Sequence, residues 1–189
     1  MDVTAREGAA DKRPAAKRQV LFESLARQHY AGVYSYLRYV TRDAVLAEDL
    51  TQETFMQVWQ HLPDLRRSGA ARVWVYRVAR NQYLQHWRRA GLETVPLESC
   101  DDADGMPASE AGPQVALERE ALRLAVRRAV EELPDLCREV VVLHNLEQLS
   151  LAQVAQVLEV PIGTVKSRRA RAFTALRRLL QQEVAGDEV

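Results

Sequence analysis

The sequence predicts an all-α protein made of two small helical domains, which are joined by a flexible acidic linker and the second of which contains a helix-turn-helix. Apolar residues recur at helical spacing along most of the chain, without the strict alternation typical of strands. Residues 91–113 hold three glycines, three prolines and six acidic residues without apolar periodicity, which is the composition of a linker. Residues 150–178 place a short apolar helix, a tight connection and a basic helix in direct succession.

A length of 189 residues with 47% apolar and 28% charged residues is ordinary for a soluble globular protein of one large or two small domains. We predict a disordered N-terminal arm (1–18), a first domain (19–90), the linker (91–113), a second domain (114–183) and a tail (184–189). The predicted helices are 19–40, 43–62 and 70–90 in the first domain, and 114–132, 134–147, 151–158 and 162–181 in the second.

Several function classes are disfavoured by the same sequence. The N-terminus lacks the apolar core of a signal peptide and no segment is long enough to span a membrane, so a cytoplasmic location is expected. Cys100 and Cys137 have no metal-ligand or redox spacing, and the four histidines are scattered. No glycine-rich phosphate loop, nucleophile elbow or carboxylate constellation is present. We therefore expect no metal, no cofactor and no catalytic residues.

Charge is segregated along the chain although the net charge is zero. Residues 66–89 contain seven arginines and no acid, whereas residues 91–113 contain six acids and no base. Basic patches without an overall positive field give little non-specific affinity for DNA. This distribution predicts a partner that carries the protein to DNA.

Two helices of the first domain have mixed surfaces. In the helix at 43–62, Glu48, Asp49 and Glu53 would repel DNA, so this face is either a solvated surface or a protein-docking surface. The helix at 70–90 has a stripe suited to a core, formed by Ala71, Trp74, Val75 and Val78. Near its opposite side, aromatic residues alternate with arginines, which suits stacking of unpaired bases and neutralisation of phosphates. The alternative is that Tyr83 and Trp87 pack against neighbouring helices.

The helix-turn-helix prediction depends on two apolar stripes with a break between them. Leu151, Val154, Ala155 and Leu158 have the spacing of one buried helix face, and Glu159-Val160-Pro161 interrupts the helix. In the second helix the apolar stripe is Val165, Ala172, Leu176 and Leu179. Residues 161–178 contain six basic residues and no acid. A basic face of this kind fits duplex DNA, although such a face can also be merely solvated.

These elements, in this order, resemble an extracytoplasmic-function (ECF) sigma factor of the bacterial sigma-70 family over residues 21–180. The resemblance implies that Ala47–Trp59 binds core RNA polymerase, that Trp74–Arg89 recognises and melts the minus-ten element, and that residues 150–177 recognise the minus-thirty-five element. The implied polymerase-binding residues are Glu48, Asp49, Leu50, Gln52, Glu53 and Phe55. The minus-ten residues are Arg72, Tyr76, Arg77, Arg80, Asn81, Tyr83, Gln85, Trp87, Arg88 and Arg89. The minus-thirty-five residues are Thr164, Lys166, Ser167, Arg168, Ala170, Arg171 and Thr174.

Three positions depart from the family pattern. Gln85 stands where an aspartate is frequent, which exchanges an acceptor for a group that also donates. Glu159 stands where the turn often has a glycine, so a positive φ there would carry strain. Phe173 stands where an arginine is common, and we expect it to lie on the flank of the helix.

The resemblance implies three partners: core RNA polymerase, promoter DNA and an anti-sigma factor, which could be membrane-anchored. The main alternative is a stand-alone helix-turn-helix regulator whose N-terminal helices dimerise or sense a ligand. A helical adaptor that binds acidic partners is a more distant alternative. An enzyme has the least support.

Overall fold

Seven α-helices are present in a computed structural model, which describes residues 12–65, 71–91 and 116–186. The chain divides into two compact units between Ala90 and Gly91. The first unit contains α1 (Lys12–Thr41), α2 (Ala44–Leu65) and α3 (Ala71–Arg89). The second contains α4 (Ala116–Glu132), α5 (Asp135–Val141), α6 (Leu151–Leu158) and α7 (Ile162–Gly186), and α5 continues as a π-helical turn over Val142–Leu146. The predicted all-α class is confirmed.

Two predicted boundaries are corrected. The helix α1 begins at Lys12, so residues 12–18 of the expected disordered arm are helical. The helix α7 continues to Gly186, so residues 184–186 of the expected tail are helical as well. The linker, apart from Gly91, lies outside the described residues, as does Cys100.

The early start of α1 has a physical reason in α2. Pro63 lies inside α2 and has no backbone N–H, so the carbonyl of Trp59 cannot accept the usual helical hydrogen bond from residue 63. The Nη2 of Arg18 donates to this carbonyl instead. The guanidinium carbon of Arg18 also lies 4.6 Å from the centroid of the Trp59 ring. The first turns of α1 therefore satisfy a carbonyl that proline leaves open.

The first unit is a three-helix domain with a largely apolar core. Asp43 begins α2 as its N-cap, because its Oδ1 accepts hydrogen bonds from the backbone N–H groups of Val45 and Leu46 at 2.8 and 3.2 Å. The largest fully buried side chains of the core come from all three helices, and they are Val33, Tyr36, Leu37, Val58, Leu62, Val75 and Tyr76.

An aromatic group joins α1 to α2 beside this core. The Phe22 ring makes an edge contact with the Trp59 ring at a centroid distance of 5.2 Å, and the Tyr30 ring lies 5.3 Å from that of Phe55. Phe55 is buried, whereas Tyr30 and Trp59 are 40% and 38% exposed. Aromatic edges and faces in contact add to the packing of the two helices.

A buried arginine fixes the corner between α4 and α5. Arg138 is 1% exposed. Its Nε donates to the carbonyl of Val130 at 3.2 Å, its Nη2 donates to the carbonyl of Leu133, and its Nη1 donates to Oδ1 of Asp135 at 2.7 Å. Because Pro134 cannot donate to a helical carbonyl, the end of α4 needs such a donor. One side chain thus closes α4 and holds the start of α5.

The segment from α5 to α6 was predicted as one helix over 134–147, and the structure corrects this to seven α-helical residues followed by the π-turn. The N–H of Glu147 donates to the carbonyl of Val142 at 2.9 Å, which is the wider spacing of a π-helix. His144 places Nδ1 2.7 Å from the carbonyl oxygen of Leu149. Since a carbonyl can only accept, Nδ1 carries the proton, and His144 closes the loop before α6.

Candidate protein-binding and nucleic-acid-binding surfaces

The acidic helix α2 presents a stripe of exposed residues on the side opposite its core face. Of the six residues expected to bind polymerase, Glu48, Asp49, Gln52 and Glu53 are exposed. Leu50 and Phe55 are buried at 2% and 5% exposure, so neither presents its side chain at this surface, and their assignment to polymerase binding stays a prediction. Their side chains pack in the first unit because they lie about 100° and 120° around the helix from Asp49.

Two apolar residues on the same stripe were missed. Val45 is 72% exposed and Met56 is 62% exposed. They lie four residues before and seven after Asp49, which is one side of a helix. Large apolar groups that stay in solvent between acidic and amide side chains are typical of a protein-docking surface. Helical spacing from Asp49 would have found both, and we call Val45, Asp49, Gln52 and Met56 the α2 stripe.

The basic helix α3 is oriented differently from the sequence expectation. Tyr76 and Tyr83 are buried at 1% and 4% exposure, and the Tyr76 ring contacts that of Tyr36 at a centroid distance of 6.1 Å. The expected placement of both tyrosines on a base-stacking face is therefore corrected. Trp74, assigned to the core from its hydrophobicity, is only half-buried.

The exposed side of α3 is formed by other residues of the predicted minus-ten set. Arg77, Asn81, Gln85 and Arg88 are exposed and recur at spacings of three or four, so they lie on one helix face together with the half-buried Trp74. We call these five residues the α3 stripe. Arg89 is exposed near the end of the helix, whereas Arg72, Arg80 and Trp87 are half-buried. The stripe keeps one aromatic ring among two arginines and two amides.

Trp87 occupies an intermediate position at the end of α3. Its ring makes edge contacts with the rings of Tyr83 and His86 at 6.2 and 5.8 Å. All three rings belong to α3, so these contacts do not decide between base stacking and the alternative of packing against neighbouring helices. Its Nε1 is buried and has no hydrogen-bond partner among the described residues.

His29, on α1, has a shifted pKa in the folded chain. Burial lowers the pKa of His29 below the ordinary value of 6.5, and the positive charge of Arg72 lowers it further. The folded domain therefore favours the neutral imidazole at this position.

We expect this shift to make the first unit less stable in acid. The unfolded chain takes up a proton at residue 29 near pH 6.5, whereas the folded chain takes it up only at lower pH. The contribution is therefore fully present above pH 6.5 and is lost as the pH falls through the folded-state pKa. Calorimetry between pH 7.5 and pH 5 should show a smaller loss of Tm for His29→Gln than for the wild type. Equal losses in the two proteins would contradict this assignment.

The helix-turn-helix of the second unit is confirmed; of the predicted apolar stripes, Val154, Leu158, Val165 and Ala172 are buried, and Leu151, Ala155, Leu176 and Leu179 are half-buried. Ser150 and Gln153 form a capping box: the N–H of Gln153 donates to Ser150 Oγ at 3.2 Å, and the N–H of Ser150 donates to Gln153 Oε1 at 2.9 Å. This Ser-x-x-Gln signal was available in the sequence. The side chains buried between α6 and α7 include Val154, Val157, Leu158, Val165 and Ala172, of which Val157 was not anticipated.

The outward face of α7 carries the residues expected to contact DNA. Lys166, Ser167 and Ala170 are exposed, whereas Thr164, Arg168, Arg171 and Thr174 are half-buried. Gly163 is exposed, and a Cβ at this residue would meet nothing within 4 Å. The start of α7 therefore presents backbone and small side chains, which permit close approach to a groove, and longer basic side chains follow.

The turn between α6 and α7 places Glu159 in the left-handed region, with φ 55° and ψ 42°. The N–H of Glu159 donates to the carbonyl of Ala155, so the residue ends α6 as an αL cap. The strain expected for a non-glycine residue at this position is therefore present.

We expect Glu159→Gly to stabilise the second unit by about 1 kcal/mol, because glycine adopts this conformation without a Cβ penalty. Thermal unfolding followed by circular dichroism measures the change. The matched control is Gln156→Gly at an exposed position within α6, which should destabilise the unit by about 1 kcal/mol. A loss of stability in both variants would refute the strain at Glu159.

The described residues contain neither a candidate metal site nor a candidate membrane-spanning helix. Within residues 12–65, 71–91 and 116–186, no group of three or more His, Cys, Asp or Glu side chains could hold a metal ion. None of the described helices combines the length and the apolarity needed to cross a membrane. Cys137 is buried, at 2% exposure.

Comparisons with known proteins agree with the order of these surfaces. Residues 25–93 match the family Sigma-70 region 2, and residues 123–176 match Sigma-70, region 4. The chain is 35% identical to the ECF RNA polymerase sigma factor SigL of Mycobacterium tuberculosis over 172 residues, which cover 89% of this chain and 93% of the relative. It is 33% identical to the ECF RNA polymerase sigma factor SigE of Mycolicibacterium smegmatis over 159 residues, or 82% of this chain and 60% of the relative.

The fold has a solved counterpart in the sigma factor RpoE of Bartonella quintana, whose crystal contains the anti-sigma factor NepR. The TM-score is 0.64 at 22% identity, and the match covers 85% of this chain and 96% of that chain. Because the first unit matches region 2, the chain is not a helix-turn-helix regulator that acts alone. The two family matches and the relatives that share them over most of the sequence place this chain in the ECF group of the sigma-70 family of RNA polymerase sigma factors.

Proposed function

We propose that the two units act at two promoter elements while the first unit also binds core RNA polymerase. In this proposal residues 19–90 dock on polymerase and hold the opened minus-ten element, residues 91–113 connect the units, and residues 114–183 bind the minus-thirty-five element. The observation that carries the proposal is that helices of the same chain present exposed surfaces of different chemistry. The α2 stripe is apolar and acidic, whereas the exposed faces of α3 and α7 are basic.

The α2 stripe is suited to polymerase and unsuited to DNA. Asp49 and its acidic neighbours would repel phosphates, while Val45 and Met56 supply apolar area that a protein partner would bury. We assign the contact to Glu48, Asp49, Gln52 and Glu53, together with Val45 and Met56. Leu50 and Phe55 support these residues from within the core.

The α3 stripe is suited to a single strand. Trp74 offers a ring on which an unpaired base can stack, and Arg77 and Arg88 lie on the same face, within reach of the phosphates of the same strand. Asn81 and Gln85 offer donors and acceptors for base edges. Promoter opening would then occur by capture of bases that leave the stack, with no chemistry performed by the protein.

The α7 face is suited to duplex DNA. Small residues at its start allow entry into the major groove, where Lys166, Ser167 and Arg171 can reach base edges and phosphates. Thr164, Arg168, Ala170 and Thr174 complete the proposed set. An anti-sigma factor, by analogy with the complex of similar fold, would act by covering these surfaces. Such a factor would regulate the protein in the cytoplasm, where polymerase and promoters are found.

Transcription in vitro tests the proposal. Core polymerase with and without the protein is given a library of random promoters, and specific initiation is scored by sequencing the transcripts. We expect a defined promoter class to appear only with the protein. Trp74→Ala should lower open-complex formation by about 5- to 150-fold, because base stacking contributes about 1 to 3 kcal/mol per base. Arg27→Ala, at an exposed position on α1, is the control and should leave initiation unchanged. Absence of any specific transcript would refute the proposal.

A further inference from the structure

A pair of residues on the flank of α7 has no assigned role. At about 100° per residue, Phe173 lies about 20° around the helix from Lys166, and Arg169 lies about 60° from it. The pair therefore lies between the buried stripe of α7 and its outward basic face. Phe173 is 42% exposed, and Arg169 is half-buried.

The two side chains are in contact. The guanidinium carbon of Arg169 lies 5.0 Å from the centroid of the Phe173 ring, which is a cation–π arrangement one helical turn apart. The Nε of Arg169 is buried and has no hydrogen-bond partner among the described residues. The stack therefore holds the guanidinium next to the outward face of the helix without using its hydrogen-bond donors.

Core packing does not fully explain Phe173. Val165 and Ala172 fill the core side of α7 with no exposed surface, while Phe173 keeps 42% of its surface exposed. The Phe173 ring is better explained as a support for the Arg169 guanidinium. A planar guanidinium that is stacked on a ring loses less conformational freedom when it forms hydrogen bonds.

The guanidinium of Arg169 has no acidic side chain within its own segment to bind. Residues 161–178 contain no acidic residue, so α7 offers no carboxylate to Arg169 within this stretch. The anion could come from a DNA phosphate or from an acidic protein. The stack adjoins Lys166, which shares the outward face with Ser167 and Arg171, so a phosphate is the nearer anion once α7 lies in a groove.

We propose that Phe173 positions Arg169 to bind a backbone phosphate of the duplex beside the bases contacted by α7. Arg169 is the phosphate-binding residue, and Phe173 is a positioning residue that acts through it. The contact is independent of base sequence, because a phosphate carries no sequence information. This inference rests on the proposed entry of α7 into duplex DNA.

Fluorescence anisotropy of the full-length chain on short duplexes of random sequence tests the pair, across a KCl series that starts at low ionic strength, where the weak non-specific binding is strongest. We expect Arg169→Gln to weaken binding about 5- to 10-fold and to reduce the slope of log K against log salt by about one, since one phosphate contact is lost. Phe173→Leu keeps an apolar side chain without a π face. It should weaken binding about 2- to 4-fold with little change of slope.

The double variant separates positioning from packing. If Phe173 acts through Arg169, adding Phe173→Leu to Arg169→Gln should cause no further loss of affinity. Additive losses would overturn the positioning role. Arg128→Gln on α4, at an exposed position, is the charge-matched control and should not change the affinity.

Arg171→Ala distinguishes failure of this inference from failure of the proposed function. Weaker binding by Arg171→Ala with unchanged binding by Arg169→Gln would overturn the phosphate contact alone. Unchanged binding by both variants would overturn the assignment of α7 to DNA. If Arg169→Gln weakens binding of an acidic protein partner but not of DNA, the partner class proposed for the pair is wrong.

Discussion

Arg138→Ala should lower the free energy of unfolding of the second unit by about 3 kcal/mol, because a buried charged donor that serves several acceptors is removed. Arg138 donates to two carbonyls at the end of α4 and to Asp135. Without it, the carbonyls at this corner lose a donor that Pro134 cannot replace, and the space of a large side chain is left empty. The exposed carboxylate of Asp135 can turn to water, so the carbonyls carry most of the cost.

Two replacements at the same position divide this loss into its parts. Arg138→Met keeps much of the side-chain volume and removes the donors, so it measures the hydrogen bonds. Arg138→Lys keeps the charge but loses the planar fork that reaches three acceptors at once. We expect both to be destabilised by about 2 kcal/mol, which is less than the loss for alanine.

The distribution of aromatic residues gives an internal control for this measurement. All three tryptophans, Trp59, Trp74 and Trp87, lie in the first unit. Tryptophan fluorescence therefore follows unfolding of the first unit, whereas far-UV circular dichroism follows both units. The Arg138 variants should shift the dichroism transition of the second unit, and they should leave the fluorescence transition of the first unit unchanged. Arg128→Ala, at an exposed position on α4, should shift neither. An unshifted dichroism transition in Arg138→Ala would contradict the role of this arginine.

The helix-turn-helix was predictable from the sequence because each of its two helices has a single apolar face. A short connection that ends in proline separates the two helices. Val154, Leu158, Val165 and Ala172 are buried as their spacing indicates. What the sequence could not supply was the sign of φ at Glu159, which depends on how α6 and α7 meet. Arg138 was also beyond a pattern argument, since an arginine in an amphipathic helix is ordinarily solvated.

The face of α3 shows where periodicity is insufficient. Apolar or aromatic residues occur on nearly every side of this helix, so hydrophobicity alone does not choose between Trp74 and Tyr76 for the core. The choice is made by α1, which places the Tyr36 ring against that of Tyr76. A tyrosine buries a large apolar body even though its hydroxyl is polar, so its polar character is a weak guide to exposure. The α3 stripe accordingly retains four of the ten residues expected from the sequence, namely Arg77, Asn81, Gln85 and Arg88.

Met56→Asp should weaken the binding of core polymerase at least 30-fold without unfolding the first unit. Met56 is 62% exposed, so an aspartate there costs little in the free chain. In a complex, the same carboxylate would be buried in an apolar contact beside Asp49 and its acidic neighbours. A buried apolar anchor at the centre of a protein interface commonly contributes 2 kcal/mol or more, which is about a 30-fold change in Kd.

The control for this variant is Val20→Asp, which introduces the same charge at an apolar position on α1 that is 66% exposed and outside the α2 stripe. Binding of labelled protein to core polymerase should be unchanged for Val20→Asp and lost for Met56→Asp, with equal tryptophan-monitored stability. Asp49→Ala should weaken the same binding and leave the affinity of the full chain for duplex DNA unchanged. If Met56→Asp binds polymerase as the wild type does, the α2 stripe is not the docking surface, and Val45 and Met56 need another partner to explain their exposure.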